Sequence, residues 1–231
     1  VLLLIALGVS MVYSASSYYA SRKFGNKEYF LIRQLIWATV GIIAMLVVSR
    51  LDYRRIAQFS PILMLASIVL LILVLIPGIG AYVNGARRWF NFGPFSFQPS
   101  EMAKLSIILF FPFSLSKKPD ILQSFWKGLV PYLLVIGVVD LLLMRQPHFS
   151  ATILVTGVAV IILFAAGAKI WHFILLAVPV IPLGIYFVLT EEYRLKRLLA
   201  FLDPFKDPTD TGYQIINSLY AIGSGGIFGK G

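Results

Sequence analysis

The sequence has 231 residues, of which 59% are hydrophobic and 13% are charged. Soluble domains carry about twice that share of charge, so the composition excludes a disordered chain and argues against an ordinary soluble domain. Lys and Arg outnumber Asp and Glu by 20 to 10, an excess that is typical of membrane-protein loops facing anionic lipid, and we expect no nucleic-acid partner. The sequence has no cysteine, which excludes disulfides and thiolate metal sites.

Seven apolar runs, each bounded by Arg, Lys, Pro or Gly, predict membrane-spanning helices. They lie at residues 1–12, 30–48, 61–79, 102–113, 128–144, 151–166 and 171–189. Residues 102–113 are fewer than the ~20 that a span needs, so this run could also be a half-span or a buried helix. The pattern predicts an all-α, polytopic integral membrane bundle that forms a single domain over residues 1–231, with about seven helices in 1–189 and a polar loop in 190–231.

The charge of the short loops does not orient the bundle. Cytoplasmic loops normally carry the excess of Lys and Arg, but the loops after odd-numbered and even-numbered runs have equal numbers of these residues. The chain begins inside an apolar run and ends in a glycine-rich segment. We therefore expect a bundle that is incomplete at its C-terminus.

The first polar segment, residues 84–104, has the sequence NGARRWFNFGPFSFQPSEMAK. Its glycines and prolines predict a re-entrant path, and Ser100 is placed to cap a helix. Glu101 and Lys104 are three residues apart and share one helical face. Ionisable side chains inside a membrane face a cavity or each other. The segment is therefore either a self-neutralising pair with Trp89 as an interfacial anchor, or a lining for a substrate.

The second polar segment, residues 194–214, contains two Asp-Pro dipeptides, Asp203-Pro204 and Asp207-Pro208. A residue before proline is kept extended, so both carboxylates are expected to project from rigid turns. A carboxylate beside Arg and Lys can act as a general base while the cations bind a phosphate leaving group. The alternative is that both aspartates only form turns on a solvated loop.

Two isolated ionisable residues complete the set. Asp140 lies within an apolar run, where a carboxylate is either functional or paired with Arg145 or a neighbouring helix. His148 is expected to be a solvated or capping histidine at a helix break. The second histidine, His172, follows the next run, so the sequence shows no pattern for a histidine metal site.

Several long motifs in fixed order resemble the SEDS family (shape, elongation, division and sporulation), which includes RodA, FtsW and SpoVE. They are the entry to the second run from Tyr29-Phe30 to Arg33-Gln34, the first polar segment, QPHFSAT from Gln146, and RLLAFLDPFKDPTDTGYQIINSLYAIGSGGIFGKG from Arg197 to the end. The resemblance covers essentially the whole chain. It implies about ten membrane helices, several of them beyond Gly231, and a large extracytoplasmic loop after the seventh.

The resemblance implies a peptidoglycan glycosyltransferase of the bacterial plasma membrane, which polymerises lipid II, a disaccharide-peptide on undecaprenyl pyrophosphate. The motif aspartate of the family falls on Asp207, the candidate catalytic base. The negative charge of the pyrophosphate leaving group is expected to be neutralised by Arg or Lys side chains, or by a bound divalent ion such as Mg²⁺ or Mn²⁺. No other cofactor is implied. The candidate substrate-binding residues are Arg88, Trp89, Gln98, Glu101, Lys104, Arg197 and Gln214.

Other functions remain open at this point. The same helices could flip a lipid-linked precursor along a path lined by Asp140, Glu101 and Lys104, or could position a class B penicillin-binding protein, the transpeptidase partner that the resemblance implies. The chain departs from the family pattern at His148, Asp210 and Asn217. Asp210 adds a carboxylate near Asp207, which would raise the pKa of Asp207 or help to hold a cation.

Overall fold

In the computed structural model, the protein consists of α-helices and one small β-sheet. The structure describes residues 1–83, 85–93, 95–190, 192–226 and 229, without the side chains of residues 119, 120, 187, 188, 192–194 and 197. The helices are α1 (Leu2–Phe24), α2 (Tyr29–Ser49), α3 (Tyr53–Gln58), α4 (Ser60–Leu73), α5 (Pro99–Ser116), α6 (Val130–Arg145), α7 (Phe149–Ala165), α8 (Ile170–Thr190), α9 (Glu192–Leu202) and α10 (Tyr213–Gly225). Packing divides the chain into two units, Val1–Arg50 with Val180–Gly231, and Leu51–Pro179.

The first unit contains the hairpin of α1 and α2 and the segment after α8. An aromatic cluster closes the hairpin: the rings of Phe24 and Tyr29 stack with centroids 4.1 Å apart, and Phe30 meets Phe24 edge-on at 5.7 Å. Gly25 ends α1 with φ 69°, a left-handed conformation that glycine adopts without strain. The later segment runs through α9, a 3₁₀ turn at Pro204–Lys206, and α10.

The second unit is a helical bundle with a close-packed core. Helix α5 packs between α4 and α7, and α6 packs against α7. Small and branched side chains recur at helical spacing toward the core. The fully buried members include Leu71, Ala103, Ile107, Phe111, Leu129, Val139, Leu143, Ala159 and Leu163.

A three-stranded antiparallel sheet joins α4 to α5, in the order β1 (Ala81–Val83), β2 (Ala86–Phe92), β3 (Phe95–Phe97). Trp89 in β2 pairs with Ala81, and Phe90 pairs with Phe97. Aromatic residues favour strands, and Gly85 and Gly93 turn the chain with positive φ. The path predicted here as re-entrant therefore takes the form of a sheet, which composition alone did not predict.

Each of the seven predicted runs contains a helix, although the ends differ. Helix α4 stops at Leu73 because Pro77-Gly78 turns the chain toward the sheet. In the shortest run, α5 extends in both directions to cover Pro99–Ser116, with Pro99 at its first turn, where proline is favoured.

The helices support a multi-pass membrane protein. Among the described residues, three helices are long and apolar enough to span a membrane: Leu2–Phe24, Tyr29–Ser49 and Phe125–Arg145. Three more apolar stretches are shorter: α4 (Ser60–Leu73), α7 (Phe149–Ala165) and the Ile170–Tyr186 part of α8. Large apolar side chains are exposed along them, such as Leu3 at 73% and Ile161 at 67%, as expected for helices that contact lipid. The predicted all-α membrane bundle is confirmed, while the count of seven spans stays a prediction.

Candidate functional site

The first part of the candidate site is the Asp207 turn, residues 207–212. Asp203 and Asp207, each before a proline, have closely similar backbone angles, φ −144° with ψ 84° and φ −138° with ψ 76°, as the effect of the following proline predicts. The carboxylate of Asp207 accepts three hydrogen bonds, from the Asp210 N–H at 3.3 Å, the Thr211 N–H at 3.3 Å and the Thr211 hydroxyl at 3.0 Å. The carboxylate is thereby fixed in one orientation while Asp207 remains only half-buried.

These hydrogen bonds favour the ionised form of Asp207. The Thr211 N–H is the main cause that lowers the pKa of Asp207 below its usual value, followed by the Thr211 hydroxyl, and the Asp210 N–H and Lys196 contribute less. Each donor or cation stabilises the ionised form. The prediction that Asp210 raises this pKa is therefore wrong: Asp210 acts through its backbone amide.

Gly212 closes the turn. Its N–H donates to the Asp207 carbonyl at 2.9 Å, and a Cβ added at this position would overlap the carbonyl oxygens of Pro204 and Asp207. Gly212 also accepts from Ile216 at 2.9 Å as α10 begins. The turn is therefore attached directly to the start of α10.

The other predicted residues of this part are less constrained. Gln214 is exposed in the first turn of α10, so it is available to a ligand. Asp203 pairs with Lys206 at 3.7 Å, and both side chains are substantially exposed, so the pair adds little stability. The side chain of Arg197 lies outside the described residues.

The second part is the Arg88 cluster, formed by Arg88, Glu101, Lys104, Gln146 and His148 in the second unit. Arg88 Nε donates to the carbonyl of Gln146 at 2.9 Å, and a terminal nitrogen donates to the carbonyl of Pro147 at 2.6 Å. The guanidinium thus ties β2 to the turn between α6 and α7. Two of its donors are committed to the protein, and others remain for a ligand.

Gln146 is the main residue that the sequence did not single out as a site. It is 1% exposed, and its amide nitrogen donates to the Leu71 carbonyl at 3.3 Å. Its Oε1 is buried with no hydrogen-bond partner in the part of the chain that the structure describes. Gln146 thereby connects α4 to the turn that Arg88 binds; the signals in the sequence were its place before Pro147 and at the start of the QPHFSAT motif.

The predicted Glu101–Lys104 pair is confirmed. The Lys104 ammonium lies 2.7 Å from a Glu101 carboxylate oxygen, with Lys104 24% exposed and Glu101 60% exposed. Ser100, in contrast, does not cap α5. Gln98 is the N-cap residue without a side-chain cap bond, and the buried Ser100 hydroxyl lacks a partner within the described ranges. Trp89 and Gln98 are both half-buried.

His148 lies beside the same charges. Its backbone carbonyl accepts from Ala151 and Thr152 at the start of α7, so it caps through the main chain, while its ring is partly buried and not simply solvated. Burial is the main cause that lowers the pKa of His148 below its usual range; Arg88 and Lys104 lower it further and Glu101 opposes them. We infer a neutral imidazole at neutral pH.

Asp140 pairs with a neighbouring helix and not with Arg145. Its Oδ2 accepts from the Thr156 hydroxyl of α7 at 2.6 Å, while its Oδ1 is buried without a partner among the described residues. Sixteen residues separate the two, so no local sequence pattern pointed to Thr156.

The described residues do not fit a protein-held divalent cation. No group of three or more His, Asp or Glu side chains that could hold a metal lies among them. His148 is the N-cap residue of α7, whereas His172 lies in the first turn of α8.

The two parts belong to different units: the Asp207 turn and Gln214 to the first, and the Arg88 cluster with Trp89 and Gln98 to the second. Within the second unit, the structure brings Arg88, Glu101, Lys104 and His148 together, as the charges acting on His148 indicate.

Comparisons with known proteins agree with this fold. The family model for cell cycle proteins named FtsW, RodA and SpoVE matches residues 1–231. The chain is 43% identical to the probable peptidoglycan glycosyltransferase FtsW of Geobacter sp. strain M18, over 99% of this chain and 62% of that protein. It is 42% identical to the stage V sporulation protein E of Bacillus subtilis strain 168, over 100% of this chain and 63% of that protein.

Two solved structures are similar as well. One, described as the structural coordination of polymerization and crosslinking by a peptidoglycan synthase complex, has a TM-score of 0.73 and 32% identity over 98% of this chain and 65% of that chain. The rod shape determining protein RodA of Thermus thermophilus has a TM-score of 0.55 and 27% identity over 78% of this chain and 57% of that chain. The chain thus spans less than two thirds of the length of these relatives, and by sequence, motif order and fold it belongs to the FtsW/RodA/SpoVE family.

Proposed function

We propose that the protein is a peptidoglycan glycosyltransferase that polymerises lipid II, with Asp207 as the catalytic base. The observation that carries the proposal is the Asp207 turn: a half-buried carboxylate, oriented by three hydrogen bonds and ionised at neutral pH. The names of the FtsW and SpoVE relatives and of the peptidoglycan synthase complex support the same activity.

The proposed reaction joins two lipid-linked disaccharides. The 4-hydroxyl oxygen of the acceptor sugar attacks the anomeric carbon of the donor, the bond from that carbon to the pyrophosphate oxygen breaks, and undecaprenyl pyrophosphate leaves. The hydroxyl proton passes to Asp207. Because the pKa of Asp207 is low, the carboxylate takes the proton late, when the forming glycosidic bond has made the hydroxyl acidic.

The leaving group needs positive charge. Lys104 and Arg88 supply it in the second unit, with Arg197 as a further candidate. Arg88 is chiefly a positioning residue, because its bonds to Gln146 and Pro147 fix β2. Lys104 has the more adaptable ammonium, which Glu101 holds in place at 2.7 Å until a pyrophosphate competes for it. Trp89, Gln98 and Gln214 are further candidates for contacts with the substrate, each within its own unit.

We assign the sheet end of the second unit to the extracytoplasmic face. The loops at the opposite end carry Arg54, Arg55, Lys117, Lys118, Lys127 and Lys169. The sheet end of this unit carries four basic residues: Arg87, Arg145, Arg88, which is bonded to main-chain carbonyls, and Lys104, which is paired with Glu101. The loop charges of the whole chain balance, but within this unit the excess of basic residues lies away from the sheet, and cytoplasmic loops carry such an excess. The resemblance assigns the loop that contains Asp207 to the extracytoplasmic side.

A class B penicillin-binding protein is the proposed partner. The similar solved structure belongs to a complex that couples polymerization to crosslinking, according to its description. Polymerised glycan is the substrate that a transpeptidase crosslinks, so a shared complex would pass the product directly.

The test is polymerisation of purified lipid II by the full-length protein with its partner, in penicillin to silence transpeptidation. Asp207→Asn should abolish the glycan ladder seen with wild type, a loss of at least ~100-fold. Asp210→Asn is the matched control, because Asp210 contacts Asp207 through its backbone N–H, and it should keep most activity. Full activity of Asp207→Asn would overturn the assignment and favour a scaffold role.

A second candidate is transport of the lipid-linked precursor. The observation that favours it is Asp140, a carboxylate between α6 and α7 that is bonded to Thr156 and has one buried oxygen unpartnered among the described residues. Ionisable groups inside a membrane often line transport paths. Flipping in proteoliposomes that is lost in Asp140→Asn but kept in Asp207→Asn would favour transport over polymerisation.

A further inference from the structure

An apolar groove lies between α3 and the C-terminal half of α5, at the end of the second unit opposite the sheet. Its volume is about 490 Å³, within the ~300–1,000 Å³ typical of small-ligand sites. One wall is formed by the α3 residues Tyr53, Arg54, Ala57 and Gln58. The other is formed by the α5 residues Ile108, Leu109, Pro112, Phe113 and Ser116. Both sets follow helical spacing, so each presents one face.

Pro112 leaves a polar backbone group in the wall of the groove. Proline has no N–H, so the carbonyl of Ile108, four residues earlier, loses its helical donor. Ile108 and Pro112 both line the groove. The apolar wall therefore includes a backbone carbonyl without its helical N–H partner, which can accept from a hydroxyl.

Two cations stand at the edges of the groove. Arg54 lines it directly. The Lys117 ammonium lies 4.1 Å from the centre of the Phe113 ring, and Phe113 is part of the α5 wall. Neither cation lies within ion-pair distance of a carboxylate in the described part of the chain. The nearby Asp52 carboxylate accepts the main-chain N–H of Arg54 and caps α3, and its charge also acts on the Arg54 guanidinium. Arg54 Nε donates to the Tyr53 hydroxyl at 3.4 Å. The lining residues include no carboxylate.

The groove thus combines an apolar wall with positive charge at two edges. A phosphate can bridge the two cations. A zwitterionic head group adds an ammonium that the two cations repel, whereas an anionic head group such as phosphatidylglycerol keeps its net negative charge. The same end carries the cluster of basic loops, which favours a leaflet rich in anionic lipid. Tyr53, 70% exposed, is the kind of side chain that lies at a membrane interface.

We propose that this groove binds an anionic glycerophospholipid of the bilayer, with its head-group phosphate between Arg54 and Lys117 and one acyl chain along Ile108, Leu109 and Pro112. A glycerol head group, as in phosphatidylglycerol, also offers a hydroxyl to the Ile108 carbonyl. This site is independent of the Asp207 turn and of the Arg88 cluster, so it does not depend on the function proposed above.

The test is photolabelling of the full-length protein in nanodiscs with diazirine-bearing phosphatidylglycerol or phosphatidylcholine, followed by mass spectrometry of the peptide that contains Ile108–Phe113. Phosphatidylglycerol should label this peptide more strongly than phosphatidylcholine does. The Arg54→Gln, Lys117→Gln double variant should lose labelling about tenfold to thirtyfold, from the loss of two cations. Leu109→Trp should block labelling by filling the groove while both cations remain.

The control is Arg55→Gln, Lys118→Gln, which removes the same charge from neighbouring positions that do not line the groove. It should change labelling less than twofold. Equal losses in both double variants, equal labelling by phosphatidylcholine, or displacement by a polyprenyl phosphate at equimolar concentration would each overturn the proposal. An unfolding midpoint unchanged from wild type checks that each variant is folded.

Discussion

The Asp207 turn and the Arg88 cluster are both organised by hydrogen bonds, but the range of those bonds differs. The donors to the Asp207 carboxylate lie three and four residues away in sequence. The acceptors of Arg88 lie 58 and 59 residues away. Asp207 is therefore oriented by its own motif, whereas Arg88 depends on how α6, α7 and the sheet come together.

Because of this difference, substitutions in the two regions should affect different properties of the protein, activity in one and stability in the other. A change in the Asp207 turn alters the geometry of one exposed segment and should affect activity more than stability. A change in the Arg88 cluster removes contacts between distant elements and should affect stability first. Substitutions in the Asp207 turn and in the Arg88 cluster are therefore expected to separate effects on activity from effects on stability.

The largest effect is expected from Gly212→Ala. The new Cβ would overlap the carbonyl oxygens of Pro204 and Asp207, so the turn must move and carry the carboxylate with it. A misplacement of about 1 Å can cost ~100-fold in rate, and we expect a loss of that order in lipid II polymerisation with little change in the unfolding midpoint. Gly223→Ala is the control, since its Cβ meets nothing within 4 Å; equal activity of the two variants would contradict the prediction.

The next effect is expected from Arg88→Gln. It removes two charge-assisted hydrogen bonds to main-chain carbonyls. A hydrogen bond to a charged group contributes about 1.5–3 kcal/mol to the free energy of unfolding. Because Arg88 is only half-buried, we expect a total loss of about 2 kcal/mol, seen as a lower unfolding midpoint in detergent.

The control for Arg88 is Arg87→Gln. Arg87 is the adjacent residue, and its guanidinium lies 5.3 Å from the Tyr82 ring centre, a contact of about 0.5–1 kcal/mol at an exposed site. If the two variants lower the midpoint equally, then Arg88 does not tie the sheet to the turn between α6 and α7.

A smaller effect concerns pH and His148. Its pKa is lowered in the folded protein, chiefly by burial, so below about pH 6.5 the unfolded chain binds the proton more readily than the folded one. The contribution of the buried neutral imidazole to the free energy of unfolding is complete above that pH. It is lost as the pH falls through the folded pKa of His148. We expect the unfolding midpoint of wild type to drop more between pH 7.5 and pH 5 than that of His148→Asn; parallel curves would contradict this.

The smallest effect is expected from Thr211→Val. It removes the hydroxyl bond to Asp207 at 3.0 Å but keeps the Thr211 N–H, so the pKa of Asp207 should rise toward its usual value. The acidic limb of the pH–activity profile should then move to higher pH, while activity near pH 7.5 changes little. An unmoved acidic limb would mean that Asp207 does not set it.

Much of the fold was predictable because apolar runs bounded by Gly, Pro and basic residues leave few alternatives in a membrane. The same was true of the Glu101–Lys104 pair, since a three-residue separation on a helix places both side chains together. The sheet at Ala81–Phe97 was not predicted, because its aromatic and glycine-rich sequence fits several irregular paths. Ser100 was misassigned because α5 begins at Pro99 and buries the serine hydroxyl.

The sequence by itself determined the membrane-bundle class, the family, and the Asp207 turn, since each depends on interactions within a few residues or on the average polarity of a run. The tertiary structure decided that Arg88 binds the turn after α6, that Gln146 bridges to α4, and that Asp140 pairs with Thr156. Those partners are separated by 16 to 75 residues. Only the packing of whole helices brings such side chains within hydrogen-bonding distance, and no local pattern encodes it.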